Sequence, residues 1–266
     1  MATIEMGGLV LRYRVTGAGP PLLLIRGLGR SLDYWGELEP LLAADFTVIA
    51  FDNRGVGGSD VTLPPYTTSQ LADDAARLLL RLGIAQTHVF GLSLGGMIAQ
   101  MLALRHPYRL RRLVLGCSTP GRRLGPPIGW RAASSLLASS LLPRARAQRL
   151  LASIILSPGH VKRHPETLEQ WAELADRWPV RRSGFLGQLA AAFLHDGGEA
   201  LRRIHVPTLL LHGTEDRLVP LASSLRLKEL IPGSKLEAIP GTGHDFVAEQ
   251  PERTARLLRG FLLAKG

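Results

Sequence analysis

Apolar positions recur along this chain with two alternating periods. Residues 3–15 alternate apolar and polar side chains about Gly7-Gly8, which predicts a hairpin. Short apolar runs follow at 22–26, 46–51, 88–92 and 113–117, and each predicts a buried strand. Between them, residues 34–44, 69–82 and 94–106 carry helical spacing. Ser69 is read as opening the second helix, with Asp73 and Asp74 as an acidic first turn. Strands separated by helices need crossover connections, so the pattern predicts an α/β fold with a mostly parallel sheet covered on both faces.

The rhythm breaks after residue 118. Across 119–198 no strand pattern occurs, only helical stretches near 130–142, 146–156, 166–178 and 185–195. Alternation resumes with a strand at 207–212, a helix at 221–230, a strand at 235–239 and a helix at 246–263. The expected organisation is an α/β core from 1–118 and 199–266, with 119–198 as a helical cap inserted over the sheet.

Composition narrows the class. The 266 residues are 45% hydrophobic and 20% charged, which suits one large domain with a sizeable core. One cysteine, Cys117, leaves no intrachain disulfide and no multi-cysteine zinc site, and fits a reducing cytoplasm. No secretory signal or membrane span is visible, so a soluble cytoplasmic protein is expected. The net charge of +10 is concentrated: no acidic residue lies between Asp74 and Glu166, an interval holding fourteen Lys or Arg. No recognition motif, stacking pattern or basic helix accompanies that excess, so nucleic acid is not the expected partner. An arginine-rich solvated surface is one reading, and attraction of an anionic substrate or acidic carrier is the other.

The chemistry concentrates at predicted strand ends. Gly91-Leu92-Ser93-Leu94-Gly95-Gly96 lies between a strand and a helix. Such a sharp turn lifts the Ser93 hydroxyl clear of the sheet, at a helix N-terminus where developing negative charge is stabilised. Small residues at 91 and 95 are needed because a Cβ there would strike the tight backbone. A serine needs an adjacent base. Of the eight histidines, His244 in Gly241-Thr242-Gly243-His244 has the best setting, a loop after a strand that can swing an imidazole over the sheet. His212, at a strand end leading straight into a turn, reads as structural. The orienting acid is Asp216, just after the strand at 207–212, with Glu215 and Asp245 as alternatives whose simpler roles are a salt bridge or a helix cap.

The segments 24–29, 51–59, 91–96, 206–216 and 243–244 occur in an order that resembles the α/β-hydrolase family, in its small esterase and enol-lactonase-like branch. The resemblance implies the α/β-hydrolase fold and an oxyanion hole made by the backbone N–H groups of Leu28 and Leu94. It implies no metal and no organic cofactor. Many relatives carry His-Gly before the oxyanion residue, whereas this chain has Arg26-Gly27. Arg26 is then either a pocket residue pairing a substrate carboxylate or a structural arginine bonding the loop. With Gly27 and Trp130 it is a candidate substrate contact. The expected reaction is hydrolysis of a small carboxylic ester or lactone through an acyl-enzyme. A thioesterase, a C–C bond hydrolase or a perhydrolase would use the same triad, and a non-catalytic receptor is the rival of another class. Epoxide hydrolases and haloalkane dehalogenases need a carboxylate where Ser93 stands. A homodimer stays open on sequence grounds.

Overall fold

The computed structural model describes residues 2–127, 129–139 and 141–264. Eight strands form one sheet: β1 (Ala2–Glu5), β2 (Val10–Thr16), β3 (Pro21–Ile25), β4 (Thr47–Phe51), β5 (Thr87–Leu92), β6 (Leu110–Gly116), β7 (Thr208–Gly213) and β8 (Lys235–Ile239). Their order is β1-β2-β4-β3-β5-β6-β7-β8. The hairpin β1–β2 and the β2–β4 pair are antiparallel, and every pairing from β4 to β8 is parallel.

The two-residue period of the strands sorts the core into layers. Leu23, Ile25, Ile49 and Phe51 point to one face, where α2 (Thr68–Arg81), α3 (Leu94–Arg105) and α9 (Leu221–Leu230) pack. Leu22, Leu24, Val48 and Ala50 point to the other, against α1 (Leu38–Ala43), α10 (Phe246–Glu249) and α11 (Pro251–Leu262). Helices α4 (Trp130–Ser139), α5 (Arg144–Ile155), α6 (Pro158–Arg163), α7 (Glu166–Arg177) and α8 (Arg182–Leu194) lie between β6 and β7 in the chain. They form a third apolar cluster around Leu136, Ile155, Trp171 and Leu189, into which Tyr34, Leu218 and Val219 of the sheet-end loops insert. Among the described residues no helix is long and apolar enough to cross a membrane.

Several element ends differ from expectation for local reasons. Residues 34–44 are a 3-10 turn (Leu32–Trp35) and then α1, separated by Gly36 at φ 50°. Helix α2 is capped by Thr67, whose side chain accepts the N–H of Gln70 at 3.1 Å, so Asp73 and Asp74 fall beyond the first turn. Asp74 instead receives a two-pronged contact from Arg54, 2.6 Å on each side. The last helix is cut by Pro251, which cannot continue α10 but suits the first turn of α11. The short α6, with Pro158 in its first turn, has too few residues to show a period.

His195, at the end of α8, ties the inserted helices to the core. Its ring lies between the Thr68 hydroxyl (3.0 Å) and the Gln100 carbonyl oxygen (3.1 Å). The oxygen of Gln100 can only accept, so a neutral ring donating from Nε2 and accepting from Thr68 satisfies every partner. Burial pushes the His195 pKa down to about 4. The unfolded chain therefore binds a proton below about pH 6.5 that the folded chain refuses until about pH 4. Stability from this site is complete above the unfolded value and is lost as pH falls through that window, by ~3 kcal/mol in all. His88 is pushed the same way, so the effect is read as a difference. Between pH 7 and pH 4, denaturant unfolding of His195→Gln is expected to lose about 3 kcal/mol less stability than wild type; parallel pH profiles would refute this.

Candidate active site

The path from β5 into α3 turns at Ser93, whose backbone stands at φ 59° and ψ −120°. Only one other described non-glycine residue, Cys117, has positive φ. Such a conformation costs a non-glycine residue about 1–3 kcal/mol and persists only where the surroundings over-determine it. Here they do. Ser93 donates its N–H to the Gly116 carbonyl at 2.8 Å, and its own carbonyl accepts the Gly96 and Met97 amides and the Ser118 hydroxyl. A Cβ at Gly91 would lie 2.2 Å from the Gly95 oxygen, and one at Gly95 would lie 1.9 Å from the Ile25 oxygen. The turn thus closes only with glycine at both positions.

Past the end of β7, the Asp216 side chain is 1% exposed. Its Oδ1 accepts the N–H groups of Leu218 (2.8 Å) and Val219 (2.9 Å), and its Oδ2 faces His244 Nδ1 at 2.7 Å. His212 approaches the same oxygen at 3.4 Å. Burial alone would push the Asp216 carboxyl up, but the two histidines and their hydrogen bonds outweigh it and hold it well below the usual carboxylate range. A carboxylate there makes Nδ1 of His244 the donor. Its Nε2, buried and without a hydrogen-bond partner, keeps the lone pair. Glu215 is exposed, and His212 is engaged by Ser224 and the Val219 carbonyl.

The loop bearing His244 is clamped, not free to swing. Gly243 N–H and Ser157 N–H both donate to Glu249 Oε1, each at 2.9 Å, and Asp245 N–H donates to the Ile155 carbonyl. The imidazole is therefore oriented from α10 and from the α5–α6 junction together.

The loop after β3 supplies the third side. Leu28 lines the cavity beside Ser93, and among the described residues its N–H is taken up by no other group. Leu94 is the first residue of α3, where an N–H has no intrahelical partner. Gly27 packs directly on Ser93, since a Cβ there would lie 3.1 Å from the serine Cβ. Arg26 is fully buried and grips Asp245 through two bonds, Nη2 to Oδ2 at 2.7 Å and Nη1 to Oδ1 at 3.1 Å, with its guanidinium 4.8 Å from the Trp35 ring. Its charge is answered within the protein. Arg26 also lines the cavity beside Ser93, and its pairing with Asp245 fits the structural reading.

A cavity of about 320 Å³ opens between these loops and the inserted helices. Ser93, His244, Gly27, Leu28 and Leu94 line it, together with Leu136, Leu151, Ile155, Phe185 and Leu189. Trp130 is not among the lining residues and is 75% exposed at the start of α4. Position in a sequence cannot tell which side of an amphipathic helix turns inward when the helix end projects into solvent. Trp171 is buried beside the cavity, and Trp178 stacks on Arg12. Arg30, Tyr34 and Gln148 also line the wall, although nothing in their local pattern singled them out.

Cys117 Sγ, an Asp216 oxygen and a His244 nitrogen lie within 4.8 Å of one another. These are metal-ligating types, but the set is poorly prepared for an ion. Burial, followed by the charge of Asp216, pushes the Cys117 thiol well up, so it stays protonated, and the carboxylate and imidazole are bonded to each other.

Known proteins share the fold described above. A family model described as the alpha/beta hydrolase fold matches residues 20–251. A 2-hydroxymuconate semialdehyde hydrolase of Pseudomonas putida is 34% identical, the match covering 92% of this chain and 88% of that protein. A poly(3-hydroxyalkanoate) depolymerase of Ectopseudomonas oleovorans is 33% identical, covering 98% and 91%. The solved enol-lactonase of Burkholderia xenovorans LB400 superposes with a TM-score of 0.89 over 99% of this chain and 100% of that one, at 24% identity, a likeness of fold. With a family match spanning most of its length and relatives that are themselves named hydrolases, this chain belongs to the α/β hydrolase fold family and is a hydrolase.

Proposed function

We propose that the chain hydrolyses a small carboxylic ester or lactone through an acyl-enzyme, with Ser93 as nucleophile, His244 as general base and Asp216 as the orienting acid. One observation carries this reading. The His244 ring is fixed by Asp216 at Nδ1 and keeps a buried, unpartnered Nε2 on the cavity that Ser93 also lines. Nε2 takes the Ser93 proton as Oγ bonds to the substrate carbonyl carbon. The carbonyl electron pair moves onto oxygen, and the Leu28 and Leu94 N–H groups stabilise that oxyanion, each donor typically worth about 10²–10³ in rate. Collapse breaks the bond to the leaving oxygen, which receives the proton from Nε2. Water then adds to the acyl carbon with Nε2 as base, and Oγ departs with that proton.

Residues 119–198 act as the cap in this reading, because their apolar side chains build the roof of the cavity and exclude water from the oxyanion. A thioester or a C–C bond next to a carbonyl would be cleaved by the same machinery. No residue of the cavity favours either over an oxygen ester. The expected substrate is a small molecule with an apolar portion, matched to the aliphatic wall.

Two predictions follow from the roles assigned. Fluorophosphonate labelling and turnover of para-nitrophenyl esters are expected in wild type and absent in Ser93→Ala, while Asp216→Asn lowers kcat on the order of 10³–10⁴ by stranding His244 in the wrong tautomer. Labelling that persists without Ser93, or less than tenfold loss on Asp216→Asn, would overturn the assignment. The Arg26–Asp245 pair generates the second. Arg26→Met leaves a buried carboxylate unanswered and is expected to cost about 3–5 kcal/mol in denaturant unfolding, whereas Arg26→Met with Asp245→Leu recovers most of it. A double variant no more stable than the single would show that the pair is not the unit that joins the two loops.

A further inference from the structure

Four arginines are buried in the described structure: Arg12, Arg26, Arg30 and Arg54. Three are answered by carboxylates. Arg12 is bonded to Asp52 and Asp33, Arg26 to Asp245, and Arg54 to Asp74. Arg30 is not. It is 6% exposed, its Nη1 reaches Gln148 Oε1 at a long 3.4 Å, and its Nη2 is buried with no hydrogen-bond partner.

What holds Arg30 inward is aromatic. Its guanidinium lies 4.3 Å from the Tyr34 ring centre and 4.0 Å from that of Trp171. These two rings are locked to each other by the bond from the Tyr34 hydroxyl to the Trp171 carbonyl at 3.2 Å. Ring contacts supply no strong hydrogen-bond acceptor, so Nη2 is left unsatisfied, and the N–H edge of a guanidinium is the part shaped to bind a carboxylate. Arg30 lines the same cavity as Ser93, two residues beyond Leu28 on one turn, with its N–H donated to the Gly27 carbonyl. A buried cation without a counter-ion is costly to keep. The cost is recovered when a ligand brings the missing anion.

We propose that Arg30 is the recognition site for a carboxylate carried by the substrate, so that the preferred ester or lactone is anionic. This rests on the hydrolase reading above and assigns its substrate class. Binding at Arg30 anchors one end of the molecule on the loop that also supplies the Leu28 N–H, which sets the scissile carbonyl at a fixed reach from the oxyanion hole.

The test compares matched esters. Mono-para-nitrophenyl glutarate against para-nitrophenyl pentanoate varies the acyl end, and 4-acetoxybenzoate against phenyl acetate varies the alcohol end. Wild type is expected to prefer the carboxylate ester in at least one pair, by kcat/KM. That preference falls about 10- to 100-fold in Arg30→Met, the worth of one charge-assisted hydrogen bond, and is partly restored in Arg30→Lys. Arg30→Met removes an unanswered buried charge and keeps a side chain of similar length, so it is expected to fold. A preference unchanged within about twofold in both pairs overturns the proposal, even with Ser93-dependent cleavage intact. Where no ester of the panel is cleaved, the hydrolytic reading is what fails, and calorimetric titration of glutarate into Ser93→Ala decides the subsite separately. Binding that disappears when Arg30→Met is added supports it, and binding that persists, or that never occurs, refutes it.

Discussion

The turn from β5 into α3 is the constraint around which the site is arranged. Its backbone passes so close to β3 that the Ile25 carbonyl would stand 1.9 Å from any Cβ at position 95. Closing it drives Ser93 to φ 59°, and the neighbouring strand β6 holds it there through the Gly116 carbonyl. Four consecutive strands in the order β3-β5-β6-β7 then deliver their C-terminal loops to one edge of the sheet. The Gly27–Leu28 loop, Ser93, Cys117 and Asp216 all lie on those loops, and β8 adds His244. A parallel sheet makes this convergence automatic, since every strand ends on the same side.

Charge is handled unequally inside the molecule. Arg12, Arg26 and Arg54 are each paired within the fold, and each pair joins segments distant in the chain. Asp52 illustrates the balance: burial wins over its arginine and its two backbone donors, and its carboxyl is raised. Arg30 departs from that rule, since it lies beside two rings and its Nη2 has no hydrogen-bond partner. Such a position is poor for stability and well suited to recognition. Some arginines of the basic middle of the chain, by contrast, reach acids and carbonyls from elsewhere. Arg105 pairs with Asp73, Arg123 with Asp196, and Arg112 donates to the carbonyls of Phe261 and Ala264. These contacts suit the reading of an arginine-rich surface.

The inserted helices do more than line the cavity. Ser157 and the Ile155 carbonyl grip the segment 243–249 through Glu249 and the Asp245 amide, so the histidine loop depends on the α5–α6 junction. At the other end His195 bonds Thr68 and Gln100 on the core helices α2 and α3. The insertion is thereby pinned near its middle and at its C-terminal end, which couples the shape of the cavity to the orientation of the imidazole.

Local pattern alone was sufficient for most of the fold. Strand periods, helical spacing and the order of elements are written in residues close in sequence, and so is the requirement for glycine on both sides of Ser93. The reading failed where punctuation outweighed period: Gly36 splits the first helical stretch, Pro251 splits the last, and α6 has no room for a repeat. Ser93, Asp216 and His244 could be picked out because each follows a strand within a loop of small or turn-forming residues. The sequence by itself therefore determined which residues stand at the strand ends. Only the tertiary structure decided their partners, because a side chain's counter-charge is a matter of distance in space. Arg26 meets Asp245 across 219 positions, Trp130 turns to solvent, and Arg30 finds two rings but, among the described residues, no carboxylate.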